Sequence, residues 1–411
     1  MSEPTIVFHN AALFDGKADE LVPDSYVIVR GREIEEVGHG LPKINSDCIR
    51  FDLAGRTLMP GLIDCHVHVY AYRADLSASD DSAPTMRALY ARKFMENALD
   101  RGFTTLRDAG GADCHLAQAI GAGLIRSPRL FYCGKALSQT GGHGDFRRPQ
   151  RFQPCACEYC GAISILADGV DEVRKVAREQ LRMGAHHLKI MASGGTASPS
   201  DAVWMQQYSD AEITAVVEEA KRRRTYVMAH AYTDEAIRRC VDLGARSIEH
   251  GNFVSSETAA RMRDVGAFLV PTLVTYEAMS RYGPRIGIPE ESMRKIADVR
   301  NTGIDSLEIC HKAGTKMGFG TDLLGELEEF QCDEFRIRSE ALPAREILRS
   351  ATTINAELVG MADRLGVIAR GALADLIVVD GNPLENVTVF KNDGSNVRLV
   401  MTDGRVVKNS L

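Results

Sequence analysis

Apolar and polar positions alternate in short runs over the first sixty residues, TIVFHNAALFDG, SYVIVRG and CIRFDLAG, separated by Gly, Pro and Asp turns. Side chains alternate faces along a strand, so period-two runs bounded by turn residues predict small β-hairpins. The last forty residues return to the same style in GALADLIVVDGNP and VRLVMTDGRVVKN. Both ends are therefore assigned to one small β-sandwich domain, residues 1–60 and 370–411, flanking the middle of the chain.

Across residues 61–369 the pattern changes to short apolar runs alternating with segments of helical period, the mark of βα units and a parallel sheet. Within one unit, SDAE at Ser209 to Glu212 has capping-box spacing, and Ile213, Val216, Val217 and Ala220 recur on one helical face. KRRR then closes the last turn and TYVMAHAY follows as a strand. The other strand candidates are GLIDCHVHV, FTTLRDAG, RLFYCG, HHLKIMAS, RSIEHG, AFLVPTL and KMGFGTD. Eight strands with helices between them predict an α/β fold, a TIM-like (β/α)₈ barrel. A doubly wound sheet would carry a Gly-rich phosphate turn after its first strand, and none is present. Tyr282 to Arg300 reads either as a mobile lid or as a surface helix.

Composition narrows the class. A chain of 411 residues with 45% apolar content can bury one barrel-sized core and a smaller one. A net charge of −7, with charges interspersed, excludes the basic surface that nucleic acid or an acidic membrane demands. The N-terminus lacks a basic stretch followed by an apolar one, and no segment approaches the roughly 18 apolar residues of a membrane span. A cytoplasmic location is the expectation, and a homo-oligomer stays open. The ten cysteines lack the density of a disulfide scaffold and read as reduced thiols. Cys155, Cys157 and Cys160 in PCACEYCG fit either a structural zinc site completed from elsewhere or a plain loop.

The chemistry lies at the strand ends. His66 and His68 stand one residue apart, project to one face, and can chelate one ion. Later strands finish on Lys189, His230, His250 and Asp322, and in a barrel such ends converge on the C-terminal face. Imidazole and carboxylate donors suit divalent zinc, with manganese, cobalt and iron as alternatives. An ammonium at Lys189 would be repelled by two dications. Lys189 is then either a neutral amine or a carbamate formed with carbon dioxide, an anion able to bridge two metals.

PGLIDCHVHV, the strand lysine, AHAY, EHG and GTD resemble the metal signature of the amidohydrolase superfamily, and ADLIVVDGNP and VMTDGRVV resemble its C-terminal sandwich. The resemblance implies that His66, His68 and Asp322 hold a more buried metal, that His230 and His250 hold a second, and that a carboxylated Lys189 bridges them. SQTGGHGD, KIMASGG and AHAYT look most like the Xaa-Pro dipeptidases, or prolidases, of the imidazolonepropionase-related group.

Two such cations would activate a water and polarise a scissile carbonyl. Asp322 is the natural group to take the water's proton and deliver it to the departing amine. His143, in a GGHGD loop, and Tyr232, two residues beyond His230 on the same strand face, are candidate substrate contacts. Gly194 and Gly195 either present N–H groups to a carboxylate or simply form a turn. A small dipeptide is the expected substrate. Asp113, Asp145, Glu326 and Glu328 keep open a pocket for C-terminal Arg or Lys; N-acyl amino acids and cyclic amides are further options, and a non-enzymatic binding protein is disfavoured by the complete ligand set.

Overall fold

The structure, a computed structural model, describes residues 5–43, 48–147, 161–198 and 201–411. The chain opens with β1 (Thr5–Leu13), β2 (Val22–Arg30), β3 (Glu33–His39), β4 (Cys48–Asp52) and β5 (Thr57–Pro60). The middle begins with β6 (Leu62–Val67), β7 (Phe103–Asp108) and β8 (Arg129–Phe131). It continues with β9 (Ala136–Ser138), β10 (Ser164–Leu166), β11 (Leu188–Met191), β12 (Val227–Thr233), β13 (Ser247–Phe253), β14 (Phe268–Val270) and β15 (Lys316–Met317). β16 (Leu376–Val379), β17 (Val397–Thr402) and β18 (Arg405–Asn409) close the chain.

The two ends pair into one eight-stranded sheet, ordered β18-β17-β16-β5-β1-β2-β3 with β4 beside β1. Its joint is antiparallel, Ile377 opposite Met59 and Val378 opposite Leu58. Period-two alternation sorts these side chains into two cores. Leu58, Leu376, Val378, Leu399 and Met401 pack with Ile6, Phe8 and Val27. Met59, Ile377, Val379 and Val400 face the large core of the middle segment. Each such aliphatic side chain contributes about 1.5–3 kcal/mol when fully buried, so both faces hold the ends in place.

The middle strands are parallel, in a three-stranded sheet β6-β7-β8 and a seven-stranded sheet β10-β9-β11-β12-β13-β14-β15. Each of the eight apolar runs expected as a strand contains one; β9 and β10, of three residues each, add to them. β6, β7 and β11 are buried at every position, which is why they read as apolar runs rather than as alternating ones. The Ser209 capping box forms both of its hydrogen bonds at the start of helix Asp210–Arg222. Past β15, Phe319 O accepts from Cys65 N at 2.8 Å and Asp322 N donates to His66 O at 2.8 Å, joining that segment to β6. Polar contacts cross between the sheets as well, from Arg107 on β7 to Glu249 on β13. The two parallel sheets thus share an interior, an α/β arrangement consistent with a TIM-barrel-type domain.

Residues 282–300 fall on helices Leu273–Ile286 and Glu290–Arg300 and the link between them. Lys295 of the second helix is buried and donates to the carbonyls of Gly195, Ser198 (2.8 Å) and Asp201. The surface-helix reading fits this anchored segment better than the lid. Cys155, Cys157 and Cys160 lie outside the described residues. No helix among the described residues is long and apolar enough to cross a membrane.

Candidate metal centre

His66, His68, Lys189, His230, His250 and Asp322 all line one cavity. β6 brings His66 and leads into His68, β11 brings the lysine, β12 and β13 the second pair, and the segment after β15 the aspartate. Met191 faces His230 across one ladder and Ala231 faces His250 across the next, so register holds the three strands' donors level. His66 Nε2 and His68 Nε2 stand 3.5 and 3.4 Å from Asp322 Oδ1. The ring centroids of His66 and His250 are 5.0 Å apart, and those of His230 and His250 4.7 Å. Backbone strain concentrates here, since His250 (φ 70°) and Asp322 (φ 51°) occupy the left-handed region without being glycine.

One nitrogen of each histidine is engaged, leaving the other to bind. His66 donates from Nδ1 to Glu249 Oε2 at 2.7 Å, and His68 from Nδ1 to Gly110 O at 3.0 Å. His230 donates from Nε2 to Gly194 O at 3.2 Å, and His250 Nδ1 pairs with Thr272 Oγ1 at 2.8 Å. Such outer partners fix the tautomer and aim the lone pair. Burial lowers the pKa of all four, to about 4 for His68, so they are neutral at pH 7. Burial likewise lowers Lys189 and pushes Asp322 up to about 8, where Lys189 opposes the rise and Glu249 and Asp64 add to it. Neutral imidazoles, the Asp322 carboxyl group and the Lys189 amine form a donor set that fits divalent cations. Three of these donors, from His66, His68 and Asp322, lie within 4.8 Å of one another.

His143 and Tyr232 both reach this cluster. The His143 ring stacks on His230 with centroids 4.1 Å apart, its Nδ1 2.9 Å from Ser198 Oγ. Gly195 makes room for it, since a Cβ there would sit 2.3 Å from the ring. Gly194 and Gly195 spend their N–H groups on Met205 O and Asp201 Oδ2, which favours the turn over a carboxylate cradle. Tyr232 stacks on His250 at 5.0 Å and its hydroxyl meets that of Tyr276 at 2.7 Å. The remaining wall is apolar: Leu76, Phe146, Ile163, Met191, Ala197 and Leu324. The cavity is small, about 30 Å³.

Sequence reasoning missed the groups behind the donors. Glu249 takes two guanidinium contacts from Arg107 Nη2, at 2.9 and 3.0 Å, and a hydroxyl bond from Ser247, all fully buried. Asp201 accepts from Gly195 N, Gln207 Nε2 and Ser198 Oγ, behind His143. The available signal was a charged residue inside an otherwise apolar buried strand, Arg in TTLRD and Glu in SIEHG, because such a charge must be paired. The four acids considered for an Arg or Lys pocket have other partners. Asp113 caps helix Cys114–Gly121, Asp145 is bidentate with Arg147, Glu326 accepts from Ala74 N, and Glu328 pairs with Arg101.

Known proteins agree with this architecture. The amidohydrolase family model matches residues 57–407, and the chain belongs to that family of hydrolases, whose members are typically metal-dependent. Ochratoxinase from Aspergillus niger is 32% identical over 353 residues, covering 81% of this chain and 72% of that protein. A solved prolidase complexed with N-methylphosphonate-L-proline superposes with a TM-score of 0.95 at 49% identity, covering 98% of this chain and all of the other (100%). A Xaa-Pro dipeptidase with bound methionine in its active site gives 0.88 at 30% identity, with 98% and 100% covered.

Proposed function

We propose that the protein is a binuclear metal-dependent dipeptidase that hydrolyses the amide bond of Xaa-Pro dipeptides. The observation that carries it is the convergence of four neutral histidines, Lys189 and Asp322 on one buried cavity whose other walls are apolar. The likeness to a prolidase at 49% identity supports the substrate class. Residues 61–369 form the catalytic barrel, with 1–60 and 370–411 as its sandwich. His66, His68 and Asp322 would hold one cation and His230 and His250 the other, zinc by preference, and a carbamate on Lys189 would supply a further anionic ligand.

When bound, the cations supply an activated water and polarise the scissile carbonyl. Everything else falls to the chain's own groups. Burial disfavours the ammonium form of Lys189, and its amine would add to carbon dioxide and shed a proton to become the carbamate. Asp322, which burial alone would keep protonated and bound cations would hold ionised, takes the proton of the attacking water and passes it to the proline nitrogen as the C–N bond breaks. His143, with Nδ1 engaged, turns its other nitrogen toward the developing oxyanion, and the Tyr232 hydroxyl takes the substrate carboxylate. Apolar walls exclude water and suit an apolar Xaa side chain and the proline ring.

Two observations rank the alternatives. None of the four acids considered for Arg or Lys lines the cavity, which disfavours a basic C-terminal residue. The apolar wall and the likeness to ochratoxinase favour N-acyl amino acids as the second reading. The test is amino-acid release from Xaa-Pro, Xaa-Arg, Xaa-Lys and N-acyl amino acids by zinc-loaded protein prepared with bicarbonate, beside an Asp322→Asn control. Proline release by the parent alone is the expected result; release from N-acyl substrates only would replace the substrate and keep the site.

A further inference from the structure

Opposite the metal centre, the beginnings of β11, β12 and β13 frame a cavity of about 480 Å³, within the range of small-molecule sites. Its lining includes His186, just ahead of β11; Arg223, Arg224 and Tyr226, ahead of β12; and Arg246, ahead of β13. Arg223 and Arg224 belong to the KRRR run, which the catalytic reading leaves without a role.

The three arginines differ from their neighbours. Arg222 pairs with Glu219 and Glu218, and Arg174 and Arg178 also converge on Glu219. Arg223, Arg224 and Arg246 enter no ion pair among the described residues. Arg246 is held in place, its guanidinium 5.4 Å from the ring centres of both Tyr226 and Phe268, with one N–H donated to Glu357 O. Arg223 spends one N–H on Leu181 O at 3.3 Å. The remaining donors have no carboxylate to meet. Helices Val170–Arg182, Asp210–Arg222 and Asp234–Leu243 end at this edge with about half a negative charge each, which offsets only part of three full positive charges.

The backbone gives a second, independent sign. Past the helices on either side, the left-handed position is taken by glycine, Gly184 at φ 88° and Gly244 at φ 102°. Past helix Asp210–Arg222 it is taken by Arg224 at φ 55°. Glycine is the low-strain choice there, and a long cationic side chain in its place is retained against strain.

We propose that this cavity binds a phosphate-bearing small molecule. Guanidinium forks match phosphate oxygens in pairs, and three around one hollow suit a dianion better than a single carboxylate. The cavity shares no lining residue with the metal centre, yet lies at the N-terminal edge of the same strands that carry Lys189, His230 and His250 further along.

Calorimetric titration of the full-length, zinc-loaded protein with inorganic phosphate tests it, in buffer of low chloride. The expected result is saturable binding of one phosphate per chain, weakened tenfold or more in Arg223→Ser/Arg224→Ser and unchanged in Asp322→Asn. Circular dichroism and the melting temperature establish that each variant is folded, and Arg246→Lys, which keeps a cation, gives a smaller loss. Absence of saturable binding overturns the proposal. So does binding that survives the double substitution, or that falls tenfold or more in Asp322→Asn, since phosphate would then be meeting the metals.

Discussion

β11, β12 and β13 carry one chemistry along their length and the opposite one just ahead of their first residues. Along the strands, buried histidines have lost their charge, and a lysine with a depressed pKa stands beside a carboxylate with a raised one. Ahead of the strands, three arginines line a cavity and have no carboxylate partner among the described residues. Burial accounts for the difference. A titratable group deep in the fold sheds its charge until a cation arrives to stabilise donors already aimed, whereas a guanidinium cannot be neutralised and must stay near solvent or be paired. The first region thus suits cations and the second anions.

The largest effect should come from the proton carrier at the buried end. Asp322→Asn is expected to lower kcat about 10³-fold or more, because it removes a ligand and the acid–base group together. Circular dichroism should be unchanged, since asparagine has nearly the same volume and keeps the backbone N–H that Asp322 donates to His66 O. Turnover within tenfold of the parent would remove Asp322 from its role. Chelation belongs beside it: stripped protein should lose activity and regain it with zinc plus bicarbonate, and regain with zinc alone in carbon-dioxide-free buffer would argue against a carbamate on Lys189.

Next in size is the pair that aims His66. Arg107 and Glu249 are fully buried, so Glu249→Gln leaves a guanidinium uncompensated, a loss of roughly 3–5 kcal/mol for a broken buried pair. It also removes the carboxylate that fixes the His66 tautomer, worth about 10–100-fold in metal affinity. Adding Arg107→Met separates the two. The double variant should regain much of the lost melting temperature and none of the zinc affinity; recovery of both would make the pair merely structural.

How far these groups were legible follows from their neighbours in sequence. His66, His230 and His250 showed because each interrupts a strand buried on both faces, where apolar residues are the rule, and His68 because it follows β6 directly, two residues after His66. The pairing of the two chain ends showed because alternation persists in β5, β16 and β17. β9 and β10, of three residues each, did not show. Arg107 and Glu249 were invisible as partners because they lie 142 positions apart and meet only when the two sheets enclose an interior. The same holds for Lys295, whose ammonium anchors a loop nearly a hundred residues upstream.

A smaller effect is expected at Tyr232. Its hydroxyl touches Tyr276 and its ring lies on His250, so Tyr232→Phe keeps the stack and loses only the polar contact. A KM several-fold higher with kcat nearly intact fits a substrate-carboxylate contact, since a neutral hydrogen bond is worth about 0.5–1.5 kcal/mol. A fall confined to kcat would move the hydroxyl to the developing oxyanion instead.

The smallest effect sharpens the comparison most. With no phosphate present, Arg223→Ser/Arg224→Ser should leave kcat and KM for the dipeptide within about twofold. Arg224 is six residues from His230, roughly 20 Å along an extended chain, and groups separated by more than about 10 Å without shared partners act independently. Both arginines are exposed, so their loss opens no cavity and strands no buried charge. Replacing Arg224 at a left-handed position by serine changes backbone strain little. If turnover nevertheless fell tenfold with the melting temperature unchanged, the two ends of β12 would be coupled through the strand itself, and the arginines would be tuning the position of His230 rather than serving an independent anion site.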